Sequence, residues 1–501
     1  MGLDIYWIGL LVLVPLVAIF AGRETILATI RGRPTEKPAL KPLDGDAKKF
    51  RRTFFQVYLL VMGSEWLQGP FMYSLFRNEK NLDEATVATL YISTYVAAAA
   101  SAFFTGYLTD KFGRRTACLA FCGIHSLAAV SVCFDQVVVL IPGRVLGGVG
   151  LTLLWTAFES WMIAEYNDRG LPQSSFPLSS MFGIMTTYNC ITAIVAGVLG
   201  HCVVLALGSK TDPFILSVAL DLSAAILMIR TWKENRGTST DVQVDNDCDR
   251  EAEAQKHSSP DQAMTSIKDS RVWAMSFVTC CFEGTMFLFM FFWPEILQDA
   301  HGRHHAGWND AIPHGVIFAS FMAIMVLGAL CFNLMSANPN SSNSGPASHI
   351  LTPTLLLEMT FIVSGVGFCV AAFVREEAGL FILFLLLEAC NGIYVPSVAY
   401  HRGMIVTDGA RARIYSLMNI PLFIFVVIAL QSSNGSGGEH WRLVFLFCAA
   451  LLFIAALVTT LNLDLGKSVV EFSEIIGRDL DDVELSAGSL EKALDATEEG
   501  A

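Results

Sequence analysis

The chain has 501 residues, of which 53% are hydrophobic and only 16% charged, with a mean hydropathy of +0.51. A soluble globular chain carries roughly 25% charge, and the charges here are clustered, leaving apolar stretches too long for one water-soluble core, so the composition excludes an ordinary soluble protein. The net charge of -13 is no sign of a partner-binding surface, because Asp464 to the C-terminus holds 11 acids against 3 bases, and without a clustered basic surface nucleic-acid binding is excluded too.

Bilayer hydrocarbon is crossed by about 20 apolar helical residues, and thirteen such runs follow one another along the chain. The first, Ile5 to Ala21, lacks the basic n-region and small-residue cleavage site of a signal peptide and is expected to stay as a helix. Then come Thr53 to Phe76, Thr86 to Thr109, Thr116 to Phe134, Val137 to Ala164, Ser179 to Leu207 and Pro213 to Trp232. Lys233 to Ser270 is rich in Asp, Glu, Ser and Gln and reads as a solvated linker. Six more runs follow: Val272 to Leu297, Pro313 to Met335, Leu351 to Val374, Leu380 to Ala399, Ile414 to Leu430 and Trp441 to Leu463. The expected organisation is an all-α integral membrane protein: 1–52, an extra helix and basic loop; 53–232, a six-helix bundle; 233–270, the linker; 271–463, a second six-helix bundle; and 464–501, an acidic tail.

Orientation follows from Lys and Arg near the segment ends. Arg23, Arg31, Arg33, Lys37, Lys41, Lys48, Lys49, Arg51 and Arg52 separate the first two segments, whereas no base precedes Ile5. That loop is expected in the cytoplasm, with the linker and tail on the same side and the N-terminus outside or in a lumen. The 12 cysteines are mostly scattered singly, without a CxxC or a His at ligand spacing, and are expected to be buried free thiols.

The turn between the third and fourth segments reads GYLTDKFGRRT, Gly106 to Thr116. Gly106 would let helices approach, Asp110 would cap a helix or pair with a guanidinium, Gly113 would make the tight turn, and Arg114 and Arg115 would hold the loop inside. This spacing resembles the signature loop of the major facilitator superfamily, and two six-helix halves around a long linker resemble that superfamily's organisation. The extra first helix departs from the usual twelve, and the matching loop of the second half, ANPNSSNSGPASH, lacks the signature. GSEWLQGP (Gly63 to Pro70), GRVLGG (Gly143 to Gly148), AFESW (Ala157 to Trp161), GVIFASFMA (Gly315 to Ala323) and LLLEACNGIYVPS (Leu385 to Ser397) narrow the resemblance to the molybdate-anion transporter family. That resemblance implies the major facilitator fold, molybdate uptake, and a plasma-membrane location, with no cofactor.

Ionisable side chains inside membrane segments are costly and mark function by default. Counting the core helices from Thr53, Glu65 lies mid-way along helix 1 and Glu283 mid-way along helix 7, while helix 4 carries Arg144 and Glu159 and helix 10 carries Glu388. In the superfamily resembled, helices 1, 4, 7 and 10 line the central cavity. On helix 4, fifteen residues at about 100° each put Arg144 and Glu159 roughly 60° apart around the axis but more than ~20 Å apart along it. Arg144 is the candidate charge for a tetrahedral dianion, because a guanidinium offers a rigid fork of donors and stays protonated. The same arginine could instead pack helices against backbone carbonyls or Glu388. Gln68, Tyr73, Trp155, Ser160, Asn391 and Tyr394 are candidate neutral donors; Gly147 and Gly148 serve either close ligand approach or helix packing.

Carboxylates repel a dianion, and moving two negative charges inward against about 100 mV costs roughly 4.6 kcal/mol. Protonation of Glu65 and Glu283 alongside substrate would relieve both problems, with Glu388 balancing Arg144 and protons as a second partner beside the lipid bilayer. Asp221 reads as a contact with a neighbouring helix, His125 and His201 as interhelical or interfacial, and His301, His304, His305 and His314 as a solvated external loop. Pro70 and Pro294 could bend their helices, and Asn434 opens a glycosylation sequon. Three readings compete: molybdate uptake; transport of sulfate, an organic anion or a sugar on the same fold; and a receptor or scaffold acting through linker and tail. An enzyme is not expected, since no nucleophile and base stand at usable spacing and no Walker-type loop is present.

Overall fold

The computed structural model describes residues 4–30, 45–171, 178–235, 270–304, 312–335, 352–405, 411–432 and 440–462. Thirteen long helices and no strand are found among them. The first is α1 (Ile5–Ile30), followed by α2 (Gly45–Gln68), α3 (Glu84–Phe112), α4 (Arg114–Ser131), α5 (Val137–Asp168), α6 (Leu178–Leu207) and α7 (Asp212–Thr231). After the linker come α8 (Ser270–His304), α9 (His314–Met335), α10 (Pro353–Ala371), α11 (Glu377–Ile405), α12 (Arg411–Ser432) and α13 (His440–Asn462). Ten of the described helices are long and apolar enough to cross a membrane. The linker beyond Asn235, the loop Ser336 to His349, the sequon at Asn434 and the acidic tail lie outside the described residues.

Element ends differ from the apolar runs in a consistent way. The expected basic loop between the first two segments is partly helical: α1 continues to Ile30, and α2 starts at Gly45 instead of Thr53, so Lys48, Lys49, Arg51 and Arg52 are helical. Long basic side chains let a helix run past the apolar boundary while their charges stay in water. The extension is packed as well: Arg169 pairs with Asp46 at 3.1 Å and lies 5.7 Å over the Phe50 ring. Pro70 breaks the regular ladder of α2, which passes through a 3-10 turn (Gly69–Phe71) and ends in a π turn (Leu75–Glu79).

The two six-helix sets repeat one packing plan. In the first, α3 packs on α5, α4 on α5 and α7, and α2 on α6 and α7. In the second, α9 packs on α11, α10 on α11 and α13, and α8 on α12 and α13, which is the same scheme moved six helices along. The sets meet through α6 with α9 and α3 with α12, a reciprocal pairing expected of two related halves. The extra helix α1 lies mainly against α9 of the second half. All the described cysteines are free; Cys118, Cys122, Cys281, Cys390 and Cys448 are buried as expected, while Cys190, Cys280, Cys331 and Cys369 are half-buried and Cys133 and Cys202 exposed.

The α3–α4 turn and the residues after α7 mark one end of the bundle, since Arg114 N–H donates to the Asn235 carbonyl at 3.0 Å. This is the linker side. The opposite side carries Lys80 paired with Asp135 at 2.6 Å. On that opposite side the halves are closed against each other. Tyr73 donates to the Glu295 carboxylate, Tyr91 meets Phe291 edge-on at 5.0 Å, and Tyr95 meets Phe287 at 5.2 Å. The halves therefore meet on the side opposite the linker.

Candidate functional site

Arg144 sits one to two turns into α5, behind the aromatic closure. Its Nε–H donates to Thr94 Oγ1 of α3 at 3.1 Å, and that hydroxyl donates onward to the Leu90 carbonyl at 3.1 Å. Among the described residues neither Nη group takes a hydrogen-bond partner. The charges and dipoles around the guanidinium are Glu65 of α2 and the Tyr91 and Tyr95 hydroxyls of α3. Two glycines shape the surroundings differently. A Cβ on Gly148 would collide with the Thr94 carbonyl, so Gly148 serves close packing of α3 on α5. A Cβ on Gly147 would come to 3.5 Å from Arg144 Nη1, so this bare position leaves the approach to the fork clear.

Glu65 does not stand alone. Its Oε2 lies 3.1 Å from Nε2 of His125 on α4, whose Nδ1 lies 2.7 Å from the fully buried Asp221 of α7. Gln68 joins the same cluster, reaching His125 at 3.0 Å and Ser217 at 2.8 Å, so its amide is committed between helices instead of facing Arg144. Asp221 and His125, read from sequence as interhelical contacts, are that, and they also surround a candidate site residue.

In the second half, Glu283 of α8 accepts from the Tyr394 hydroxyl at 3.0 Å and from Arg402 at 3.2 Å, both on α11. Arg402 is not among the candidates named from the sequence. It lies within α11, which continues to Ile405 past the expected end at Ala399, and its spacing from Tyr394 of two helical turns was the available signal. Glu388 is buried, and its hydrogen-bond partner is Asn391 of the same helix at 3.1 Å. The expected balance of Arg144 by Glu388 is thus replaced by proximity to Glu65. Trp155 and Glu159 lie on the exposed face of α5 toward the linker side, several turns from Arg144, so they do not share its immediate surroundings.

The turn at Gly113 is built as its residues suggest, with one exception. Asp110 pairs with Arg114 at 3.1 Å, and Gly113 adopts φ +107° between the two helices. Arg115 donates a guanidinium N–H to the Ile229 carbonyl at the end of α7 at 3.2 Å. The missed partner is Glu234: its carboxylate accepts the backbone N–H groups of Arg115 and Thr116 at 2.9 and 3.1 Å and the Thr116 hydroxyl at 2.7 Å. Gly106 is the exception, being exposed with nothing within 4 Å of where a Cβ would sit, so no close helix approach depends on it. The expected histidine loop also disperses. His301 bonds Glu377 at 2.9 Å, His314 is buried against Trp293, and His305 lies outside the described residues.

A family model described as sugar transporters with 12 TM matches residues 14–366. The chain is similar to proteins named molybdate-anion transporter: one of Danio rerio at 28% identity, covering 83% of this chain and 87% of that one, and one of Takifugu rubripes at 27%, covering 91% and 95%. Among solved structures it is similar to an auto-inhibited POT family peptide transporter, with a TM-score of 0.63 at 12% identity, covering 83% of this chain and 96% of that one. At that identity the likeness concerns the fold alone.

Proposed function

Because the chain belongs to the major facilitator superfamily, in the family described as sugar transporters with 12 TM, we propose that this membrane transporter takes up molybdate by alternating access, with Arg144 as the fixed charge that receives the oxyanion. The observation carrying the proposal is the Arg144 fork. Only its Nε is committed, to Thr94, and a guanidinium inside an apolar bundle with two open Nη groups is suited to a bidentate tetrahedral oxyanion. The names of the relatives from Danio rerio and Takifugu rubripes supply molybdate as the particular anion.

Contact between the halves on the side opposite the linker supports reading the structure as one end-state of an alternating cycle. In this reading the linker side is cytoplasmic, the N-terminus lies outside and the membrane is the plasma membrane. Carrying a dianion inward against about 100 mV costs roughly 4.6 kcal/mol, which co-transport of protons offsets. The chain's own chemistry is then binding and release, with no bond made or broken in the substrate.

The test is molybdenum accumulation at nanomolar external molybdate in cells lacking their own uptake, comparing wild type with Arg144→Ala at matched surface expression. Accumulation by wild type and its loss in the variant support the proposal. No accumulation by correctly inserted wild type overturns the substrate, and a screen of sulfate and hexoses then follows from the family's description. Equal accumulation by both overturns the role of Arg144.

A further inference from the structure

His125, on α4 and 5% exposed, is contacted by two groups that make opposite demands on one nitrogen. Its Nε2 lies 3.1 Å from Glu65 Oε2 and 3.0 Å from Gln68 Nε2. A carboxylate oxygen accepts and requires an N–H on the ring; an amide nitrogen donates and requires the ring's lone pair. One nitrogen cannot satisfy both together. The other contacts leave little freedom elsewhere. Asp221, held by the Ser64 hydroxyl at 2.6 Å, faces Nδ1 at 2.7 Å and keeps a proton there. Ser217 donates its own hydroxyl to the Phe214 carbonyl at 2.7 Å, and so accepts from the Gln68 amide nitrogen at 2.8 Å. The variable proton is therefore the one on Nε2.

We infer that Nε2 of His125 is a proton-binding site that sets where Glu65 points. When Nε2 is protonated, the imidazolium holds the Glu65 carboxylate. When the N–H bond breaks, its electron pair stays on nitrogen, the proton passes to water, and Nε2 accepts from Gln68 instead. Glu65 is then released toward Arg144, whose charge it already senses. The charged and titratable groups around this proton are Glu65 on α2, Asp221 on α7, Arg144 on α5 acting through Glu65, and Cys122 on α4 itself beside Asp221. On α3 the facing groups are Tyr91 and Tyr95, and they neighbour Arg144.

This inference deepens the proposed function and rests on Arg144 as the anion site. A loaded His125 keeps Glu65 away and leaves the guanidinium fork to the dianion. An unloaded His125 lets Glu65 compete for the same fork and expel the anion. Proton and anion are thus taken up together and released together, with Glu65 as the moving counter-charge instead of the proton carrier.

Two measurements on the full-length protein test it. First, the ring signal of His125, assigned by its loss in His125→Gln, is followed by NMR against pH in wild type and in Glu65→Gln. The midpoint is expected to move in Glu65→Gln; an unmoved midpoint overturns the proton site. Second, molybdate exchange is measured in vesicles as pH rises. Wild-type KM is expected to increase by up to about tenfold per pH unit, the limit for one linked proton. In Glu65→Gln exchange persists with KM near its acidic value throughout, a result that a purely structural role would not produce. If Glu65→Gln keeps the wild-type slope, the switch is overturned. If wild type exchanges no molybdate at any pH, the substrate reading falls, and the NMR titration still decides the proton site.

Discussion

Arg402 brings its guanidinium to 3.2 Å from the Glu283 carboxylate, 119 residues away in sequence, and each side chain keeps only about a quarter of its surface. The same oxygen accepts from Tyr394 at 3.0 Å. Removing Arg402 takes the cation away from the partly buried Glu283 carboxylate. Arg402→Ala is expected to lower stability by about 1.5–3 kcal/mol, the range for hydrogen bonds to charged groups. Adding Glu283→Gln should recover most of that loss, and thermal unfolding of the purified single and double variants reads it. Additive losses would contradict the pairing.

The carboxylate of Glu234 stands over the first turn of α4, where unpaired backbone N–H groups and the helix dipole favour a negative charge. Glu234→Ala should cost about 1 kcal/mol. Glu234→Gln, which retains an acceptor but no charge, should cost less. Unfolding midpoints of the three proteins at low and high salt separate the charge from the hydrogen bonds, since only the former is screened.

At Gly113 the backbone has φ +107°, a conformation that favours glycine, and an added Cβ would run into the Glu234 carboxylate. Gly113→Ala is therefore expected to cost more than Glu234→Ala, by about 1–2 kcal/mol of backbone strain. The combination Gly113→Ala with Glu234→Ala should lose less than the sum, because the collision is gone; the same unfolding measurement checks this.

Gly148 has no room for a side chain against the Thr94 carbonyl. Gly148→Val is expected to push α3 and α5 apart, at a cost of about 1–3 kcal/mol or more. Thr94 also holds Arg144, so under the proposed function molybdate uptake should fall further than surface expression does. Uptake normalised to surface protein measures the difference.

Asp83, outside the membrane-spanning segments, caps α3 by accepting the Thr86 hydroxyl and backbone N–H. Those hydrogen bonds hold its carboxyl below the usual carboxylate range. A lowered value in the folded protein means stability that is present above the unfolded carboxyl's range and is lost as pH falls through the folded one. Wild type should thus be more stable than Asp83→Ala at neutral pH, with the gap closing at acidic pH. A gap that persists to the lowest accessible pH would show that the charge is not what caps the helix.

The helices were legible because most are apolar runs of bilayer length, ten of the thirteen described ones being long and apolar enough to cross a membrane, and the repeated plan of two bundles followed from their number and the linker. Helix ends were not, because Lys48, Arg51 and Arg402 are helical residues of a kind that hydropathy assigns to loops. Glu65 and Glu283 stood out as charges at matching places in the two halves. Their partners His125 and Arg402 did not, since contacts between helices depend on how faces are rotated against each other, and a single helix's periodicity holds no record of that. Glu388 was matched with Arg144 on charge alone; the structure gives it Asn391, three residues away on the same helix.

The first helix begins where the two halves are closed. Tyr6 donates to Glu377 at 2.7 Å, His301 meets the same carboxylate, and the body of α1 lies along α9, all in the second half. Toward the first half the ring of Trp7 faces His201 at 5.8 Å. A rocking cycle would therefore carry α1 as a passenger of the second bundle. A fluorophore attached near Asp4 reports the motion of that bundle, although in sequence it stands next to the other one, and a distance label paired between Asp4 and the far end of α7 would measure the rocking itself.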